Sequence, residues 1–151
     1  MEKITVRLAK EHEQQINRPD VKAELDNVQN MITNLDVQLT AQTVYLVFCG
    51  GNYSDYEKKM TSVLVFINNT GKTLKAFRSV VRLRSQIPGM QIATTTVAFD
   101  HTFLGDLKPQ EGVLVHLNIP VKGLVADKAL SPKEITGEMS DVEIAYVQGE
   151  E

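Results

Sequence analysis

The chain has 151 residues, 42% hydrophobic and 23% charged, with a formal net charge of −3. That length suits one domain with a core that needs neither disulfides nor metals, and the composition excludes a disordered chain, a collagen-like chain and a multidomain enzyme. The slight acidity does not favour nucleic acid as a partner.

Residues 3–9 alternate, with Ile4, Val6 and Leu8 on one face and Lys3, Thr5 and Arg7 on the other, which predicts a short half-buried strand. The period then changes. Val21, Leu25, Val28, Ile32 and Leu35 recur at steps of four and three, the apolar stripe of a helix over residues 18–35. Asn17 is the expected N-cap, Pro19 suits the first turn, and Asp20 complements the helix dipole. From Val37 onward the chain reads as β. Thr43–Phe48 and Ser62–Asn68 are continuous apolar runs, as in strands buried on both faces. Residues 52–59 read as a polar loop between them, and Asn69-Thr70-Gly71 as a turn. Leu74–Arg84 predicts a long strand and Ile87-Pro88-Gly89 a turn. Ile92–Phe103 predicts a further strand. Residues 105–112 read as a loop. Gly112–Ile119 alternates, with Val113, Val115, Leu117 and Ile119 inward and Pro120 as its end. Residues 122–139 read as loop, and Asp141–Val147 as a last strand with Val142, Ile144 and Tyr146 on one face.

About seven strands with turn signals between them predict a mainly β fold, an immunoglobulin-like antiparallel β-sandwich with one N-terminal amphipathic helix. The expected organisation is a strand–helix appendage over 1–36 packed on the domain, a sandwich over 37–148 and an acidic tail over 149–151. No apolar run reaches the length of a membrane span, and Met1–Lys10 lacks the apolar region of a signal peptide. The expectation is therefore a cytoplasmic protein, or a cell-surface one if the chain is a processed fragment, with no membrane insertion. The single cysteine, Cys49, ends an apolar run and reads as a small buried hydrophobe.

Charge is unevenly distributed. Residues 1–57 carry −4, residues 58–99 carry +7 with no acid at all, and residues 100–151 carry −6. The basic segment holds Lys72, Lys75, Arg78, Arg82 and Arg84. On a strand, Phe77, Ser79, Val81 and Leu83 share one face, and Arg78, Val80, Arg82 and Arg84 the other. Guanidinium groups in such a row suit carboxylate or phosphate. The same row also serves as edge protection, or pairs with the acidic residues of 127–143. The helix stripe of Val21, Leu25, Val28 and Ile32 likewise has two readings: it covers an open face of its own sandwich, or it docks on a partner or a second copy.

Catalytic signals are weak. Thr70-Gly71-Lys72-Thr73 resembles the end of a phosphate-binding loop but lacks the upstream glycine and the following helix. His12, His101 and His116 fall on separate elements. His101 with Asp100 and Asp106 is too little for a zinc site, which wants four ligands. No nucleophile motif is present. No cofactor is expected. Asn52-Tyr53-Ser54 and Asn68-Asn69-Thr70 match the glycosylation acceptor pattern.

Ser62–Thr70 (SVLVFINNT) pairs a strand with an Asn-rich turn. Ile92–Pro120 holds Val97-Ala98-Phe99-Asp100, then Leu104-Gly105-Asp106-Leu107-Lys108-Pro109, and closes on Val113–Pro120 (VLVHLNIP). Over roughly residues 58–124 this layout resembles the bacterial S-layer-associated protein (SLAP) domain. The chain departs from that family at Gly112-Val113, where the family carries a Pro-Trp pair. The resemblance implies a non-enzymatic module of Gram-positive bacteria linked to the cell surface or export machinery, with no catalytic residues to carry over.

The functional expectation is a non-catalytic binding or assembly module whose partner is a protein or an anionic surface polymer. The alternative is a self-assembling homo-oligomer, and a metal-dependent enzyme built on His101, Asp100 and Asp106 ranks below both.

Overall fold

The computed structural model describes residues 4–34 and 43–147. The fold is mainly β: nine strands in two open sheets that face each other across one core. The strands are β1 (Thr5–Leu8), β2 (Thr43–Ser54), β3 (Lys59–Asn69), β4 (Leu74–Ser85), β5 (Gln91–Ile92), β6 (Thr95–Phe99), β7 (Glu111–Lys122), β8 (Lys128–Leu130) and β9 (Ile135–Tyr146). The large sheet runs β1-β7-β3-β2-β8, with β5 also paired to β7, and the small sheet runs β6-β4-β9. Helix α1 spans Pro19–Thr33, after a 3-10 helix at Lys10–Asn17, and a single turn, α2, spans His101–Leu104. Among the described residues no helix is long and apolar enough to cross a membrane.

The alternation of each strand decides what it buries. Val44, Leu46 and Phe48 of β2, with Leu64 and Phe66 of β3, point at Phe77, Val81 and Leu83 of β4 and Val97 and Phe99 of β6. Phe66, Phe77 and Phe99 meet at ring-centroid distances of 5.2–5.4 Å in tilted and edge-on geometry, which suits the ring quadrupoles. The residues between them on β2 and β3 point the other way. Cys49, Val65 and Ile67 form a second cluster with Val6 of β1, Leu114 of β7 and Val28 and Ile32 of α1. The strands that read as apolar on both faces are thus covered on both, by the small sheet inside and by α1 outside. Gly112 of β7 belongs to this arrangement, since a Cβ there would lie 2.7 Å from Val65 Cγ1.

Several sequence expectations are corrected. Among the described residues β8 lies in a stretch that reads as loop, and β5 straddles the start of the expected Ile92–Phe103 strand; β5 and β8 have two and three residues, too few to show a period. The sheets are not purely antiparallel, because β1 pairs with β7 in parallel. The free side of β1 is met by a side chain: Gln29 of α1 accepts from Val6 N at 2.7 Å and donates to Ile4 O at 2.9 Å, as a neighbouring strand would. The N-cap of α1 is Arg18, without a side-chain cap bond, because Asn17 ends the 3-10 helix. Ile92–Phe103 is not one strand. It breaks after Phe99 where Asp100 caps α2, its Oδ1 accepting from Phe103 N at 2.9 Å. Strand β7 continues through Pro120 to Lys122. Strand β9 begins at Ile135, and a register shift leaves Asp141 at φ +53°. The expected strand start at Val37 and the tail at 149–151 lie outside the described residues.

Candidate functional site

The predicted arginine row exists. β4 is the central strand of the small sheet, and Arg78, Arg82 and Arg84 are exposed on its outer side while Phe77, Ser79, Val81 and Leu83 are buried. Register pairs this row with β9: Arg78 opposite Glu143, Arg82 opposite Glu138 and Arg84 opposite Thr136. The arginines are therefore partnered within the chain by the segment whose acidity suggested it. Arg78 Nε lies 3.4 Å from Glu143, and Arg84 donates from Nε and NH2 to Glu138 Oε1 at 3.0 and 2.9 Å. Arg82 NH1 stands 3.9 Å from that same oxygen. One carboxylate thus serves two guanidinium groups. The side chains keep roughly half to two thirds of their exposure, so solvent screens these pairs and each contributes little to stability.

Around Arg78 the surface is hollow. Three of its neighbours are alanines: Ala98 across on β6, Ala76 two residues back on its own strand, and Ala145 opposite Ala76 on β9. Together with Asp100 and Glu143 they line an open cavity of about 420 Å³. Lys72 and Lys75 stand apart from the row. Lys72 belongs to the β3–β4 turn, with Nζ 5.4 Å from the centroid of the Tyr146 ring. Lys75 lies at a β4 register shift and is exposed.

The helix stripe meets its own sheet. Val28 and Ile32 are buried in the second cluster, Leu25 packs against it, and Val21 is half-buried at the helix start. His116 points outward from β7 and reaches Glu24 of α1, Nε2 to Oε1 at 2.8 Å. Cys49 lies beneath this helix, and burial pushes its thiol up to about 12.

His101 and Asp106 do meet, Nε2 to Oδ1 at 2.7 Å, but Asp100 is occupied in capping α2. Among the described residues no three His, Cys, Asp or Glu side chains gather as a metal site would need. His12 lies edge-on to Phe103 at 5.2 Å. Thr70-Gly71-Lys72-Thr73 is a bend between β3 and β4 beside Asn68, which is fully buried, so the second glycosylation pattern offers no accessible acceptor.

A second concavity had no signal in the sequence. At the tip of the β2–β3 hairpin, Tyr53 donates to Asp55 at 3.3 Å and Lys58 donates to Asp55 at 2.7 Å. The Lys58 bond holds the Asp55 carboxyl below its usual range, and burial raises the Tyr53 phenol. Asp127 accepts from Asp55 N at 2.8 Å, tying the loop before β8 to this hairpin. The residues that meet here lie some 70 positions apart in the chain, as Asp55 and Asp127 show.

No family model, curated protein or solved structure matches this chain.

Proposed function

We propose that this protein is a non-catalytic binding or assembly module, and that the outer face of the small sheet is its contact surface. The observation that carries the reading is the sharing of Glu138 by Arg82 and Arg84, which leaves these two exposed guanidinium groups with one carboxylate between them on the outer side of the small sheet. The large sheet spends its apolar outer face on α1, whereas this face presents guanidinium groups and a hollow around Arg78. Arginine forks held in a row by cross-strand carboxylates are preorganised for a further carboxylate or phosphate. The partner is accordingly an acidic protein surface or an anionic surface polymer. The resemblance to the SLAP domain adds a setting: a bacterial cell surface or its export machinery. We read the two facing sheets as an immunoglobulin-like sandwich, supported by the antiparallel β2-β3-β7 and β6-β4-β9 arrangements.

The test is retention of the whole chain on immobilised poly-L-glutamate and poly-L-lysine at low and raised salt. Retention on polyglutamate that weakens with salt, and that Arg78→Ser/Arg82→Ser/Arg84→Ser abolishes, supports the reading. Unchanged retention of the triple variant removes this face from consideration.

Self-assembly is the second reading, and the outer edge of β9 favours it. Among the described strands β9 pairs only with β4, so one edge of a 12-residue strand is open. Light scattering over a range of concentrations separates the two, since a strict monomer sinks self-assembly.

A further inference from the structure

The outer face of the large sheet is covered along only part of its length. Helix α1 lies over the apolar part, and the Glu24–His116 pair marks where that cover reaches β7. Two residues further along β7 the outward row changes character. Register aligns Ala129 of β8, Asn52 of β2, Thr61 of β3 and Asn118 of β7 across four adjacent strands. All four are exposed. Thr61 Oγ1 donates to Asn118 Oδ1 at 2.8 Å, which occupies that amide oxygen and leaves its NH2 group to donate elsewhere.

A cavity of about 420 Å³ stands over the Ala129, Asn52 and Thr61 part of this row, and Tyr53, Ser54, Asp127 and Lys128 complete its lining. Its size falls within the roughly 300–1,000 Å³ of small-ligand sites. Its lining residues carry an amide, three hydroxyls counting the Tyr53 phenol, one carboxylate and one ammonium that also stands 3.9 Å from Glu134, so donors and acceptors are mixed and neither sign of charge dominates. Such a lining selects neither anions nor cations. It matches hydroxyl groups, each of which donates and accepts at once. The frame is rigid where it matters, because the row sits on paired strands and Asp127 is oriented by the Asp55 N–H.

Apolar surface flanks the cleft. Among the described large hydrophobic residues, Tyr56 and Val125 are by far the most exposed, at 96% and 91%. Tyr56 follows Asp55 and Val125 precedes Asp127 by two positions, so the 2.8 Å Asp55–Asp127 bond brings both to the same end of the sheet. The Tyr56 phenol ring, free of protein packing at this end of the sheet, supplies what the C–H face of a sugar ring stacks on.

We propose that this cleft binds a neutral carbohydrate, with Asn52, Ser54, Thr61 and Asp127 bonding its hydroxyls, Asn118 orienting Thr61, and Tyr56 at the same end of the sheet stacking on a ring that extends from the cleft. The site is separate from the arginine face and does not depend on it.

The test is a proton–nitrogen NMR titration of the full chain with three neutral disaccharides: cellobiose, maltose and N,N′-diacetylchitobiose. The expected result is saturable shifts of the Asn52 and Asn118 side-chain amides and of the backbone at 52–56 and 127–129 with at least one sugar, with a dissociation constant on the order of 1 mM. Asn52→Ala and Tyr56→Ala each weaken that binding about tenfold while leaving the thermal midpoint unchanged, since both side chains are exposed. Arg78→Ser/Arg82→Ser/Arg84→Ser leaves it intact. Absence of saturable shifts with all three sugars overturns the proposal, and so does binding that survives both single substitutions.

Discussion

Asn68 is the side chain on which one end of the fold closes, and its replacement is the sharpest test of how that end is held. It is fully buried at the end of β3. Its Nδ2 donates to Lys72 O at 2.7 Å and to Leu107 O at 2.9 Å. Its Oδ1 accepts from Thr70 N at 3.0 Å and from Thr70 Oγ1 at 2.7 Å. One amide thus shapes the β3–β4 turn and fastens it to the loop before β7. Asn68→Ala removes four bonds worth about 1 kcal/mol net each. Leu107 O keeps Leu74 N, and the Thr70 hydroxyl, released from Oδ1, turns to Lys72 O at 3.1 Å, so little further cost arises from stranded acceptors. The expected loss is about 3–4 kcal/mol, read as a lower urea midpoint at unchanged slope. Asn68→Asp retains the acceptor toward Thr70 but turns a carboxylate oxygen on two carbonyls. It should cost at least as much at neutral pH. Burial and the facing carbonyls raise that carboxyl in the folded state. Its deficit therefore grows as pH rises above the unfolded value of about 4 and shrinks below it. An Asn68→Ala protein within about 0.5 kcal/mol of the parent would refute this account of the turn.

The helix stripe separates its two readings energetically. Val28→Asp/Ile32→Asp puts two charges into the second cluster and should unfold the chain or lower its stability by several kcal/mol, whereas a helix reserved for a partner would tolerate it; urea denaturation decides. Ser62 Oγ is buried without a hydrogen-bond partner, so Ser62→Ala should stabilise by about 1 kcal/mol in the same assay. Cys49, with its thiol raised to about 12 under α1, should resist an aromatic disulfide reagent at pH 8 in the native protein and react fully in denaturant. Asp55 is held low by Lys58, and Glu134 by the Ser131 N–H. A carboxyl lowered on folding contributes stability above its unfolded value and loses it as pH falls through the folded one, so Asp55→Asn/Glu134→Gln should flatten the stability curve below about pH 4.

What the sequence made legible follows from period. The apolar runs of β2 and β3, the alternation of β4 and β7 and the stripe of α1 each encode a burial pattern directly. The pairing of Arg78, Arg82 and Arg84 with residues of 127–143 was readable as charge balance between segments. Direction was not readable, since alternation is the same in either sense, and so the parallel β1–β7 pair was unforeseen. Short elements were also lost. Asp100 and Gly105 bracket α2 as cap and exit, but four residues carry no stripe. Gly137 disguised the start of β9 as loop. It is a strand residue whose missing side chain leaves room for Leu46, whose Cδ2 would lie 2.9 Å from any Cβ there. The row of Asn52, Thr61 and Asn118 was invisible because it exists only once three strands are in register.

The two outer faces show why binding surface falls where it does. A strand with apolar residues at every position must be covered twice, and among the described residues one long amphipathic helix does it. That helix is 15 residues, roughly 22 Å at 1.5 Å per residue. β3 has 11 residues, roughly 36 Å at 3.3 Å per residue. One helix laid along such a strand leaves about two fifths of its outer face open. The composition of β3 follows this shortfall: Val63, Val65 and Ile67 lie toward the covered end, and Thr61 and Lys59 toward the open one. On β4 the outward arginines run from Arg78 to Arg84, and all three are exposed. Polar outward residues therefore mark the limit of cover on the large sheet and line the outer side of the small one. On β4 they are long, charged and paired across strands, which suits a broad charged contact. At the open end of the large sheet they are short, neutral and grouped around a cleft, which suits a small hydroxyl-bearing ligand.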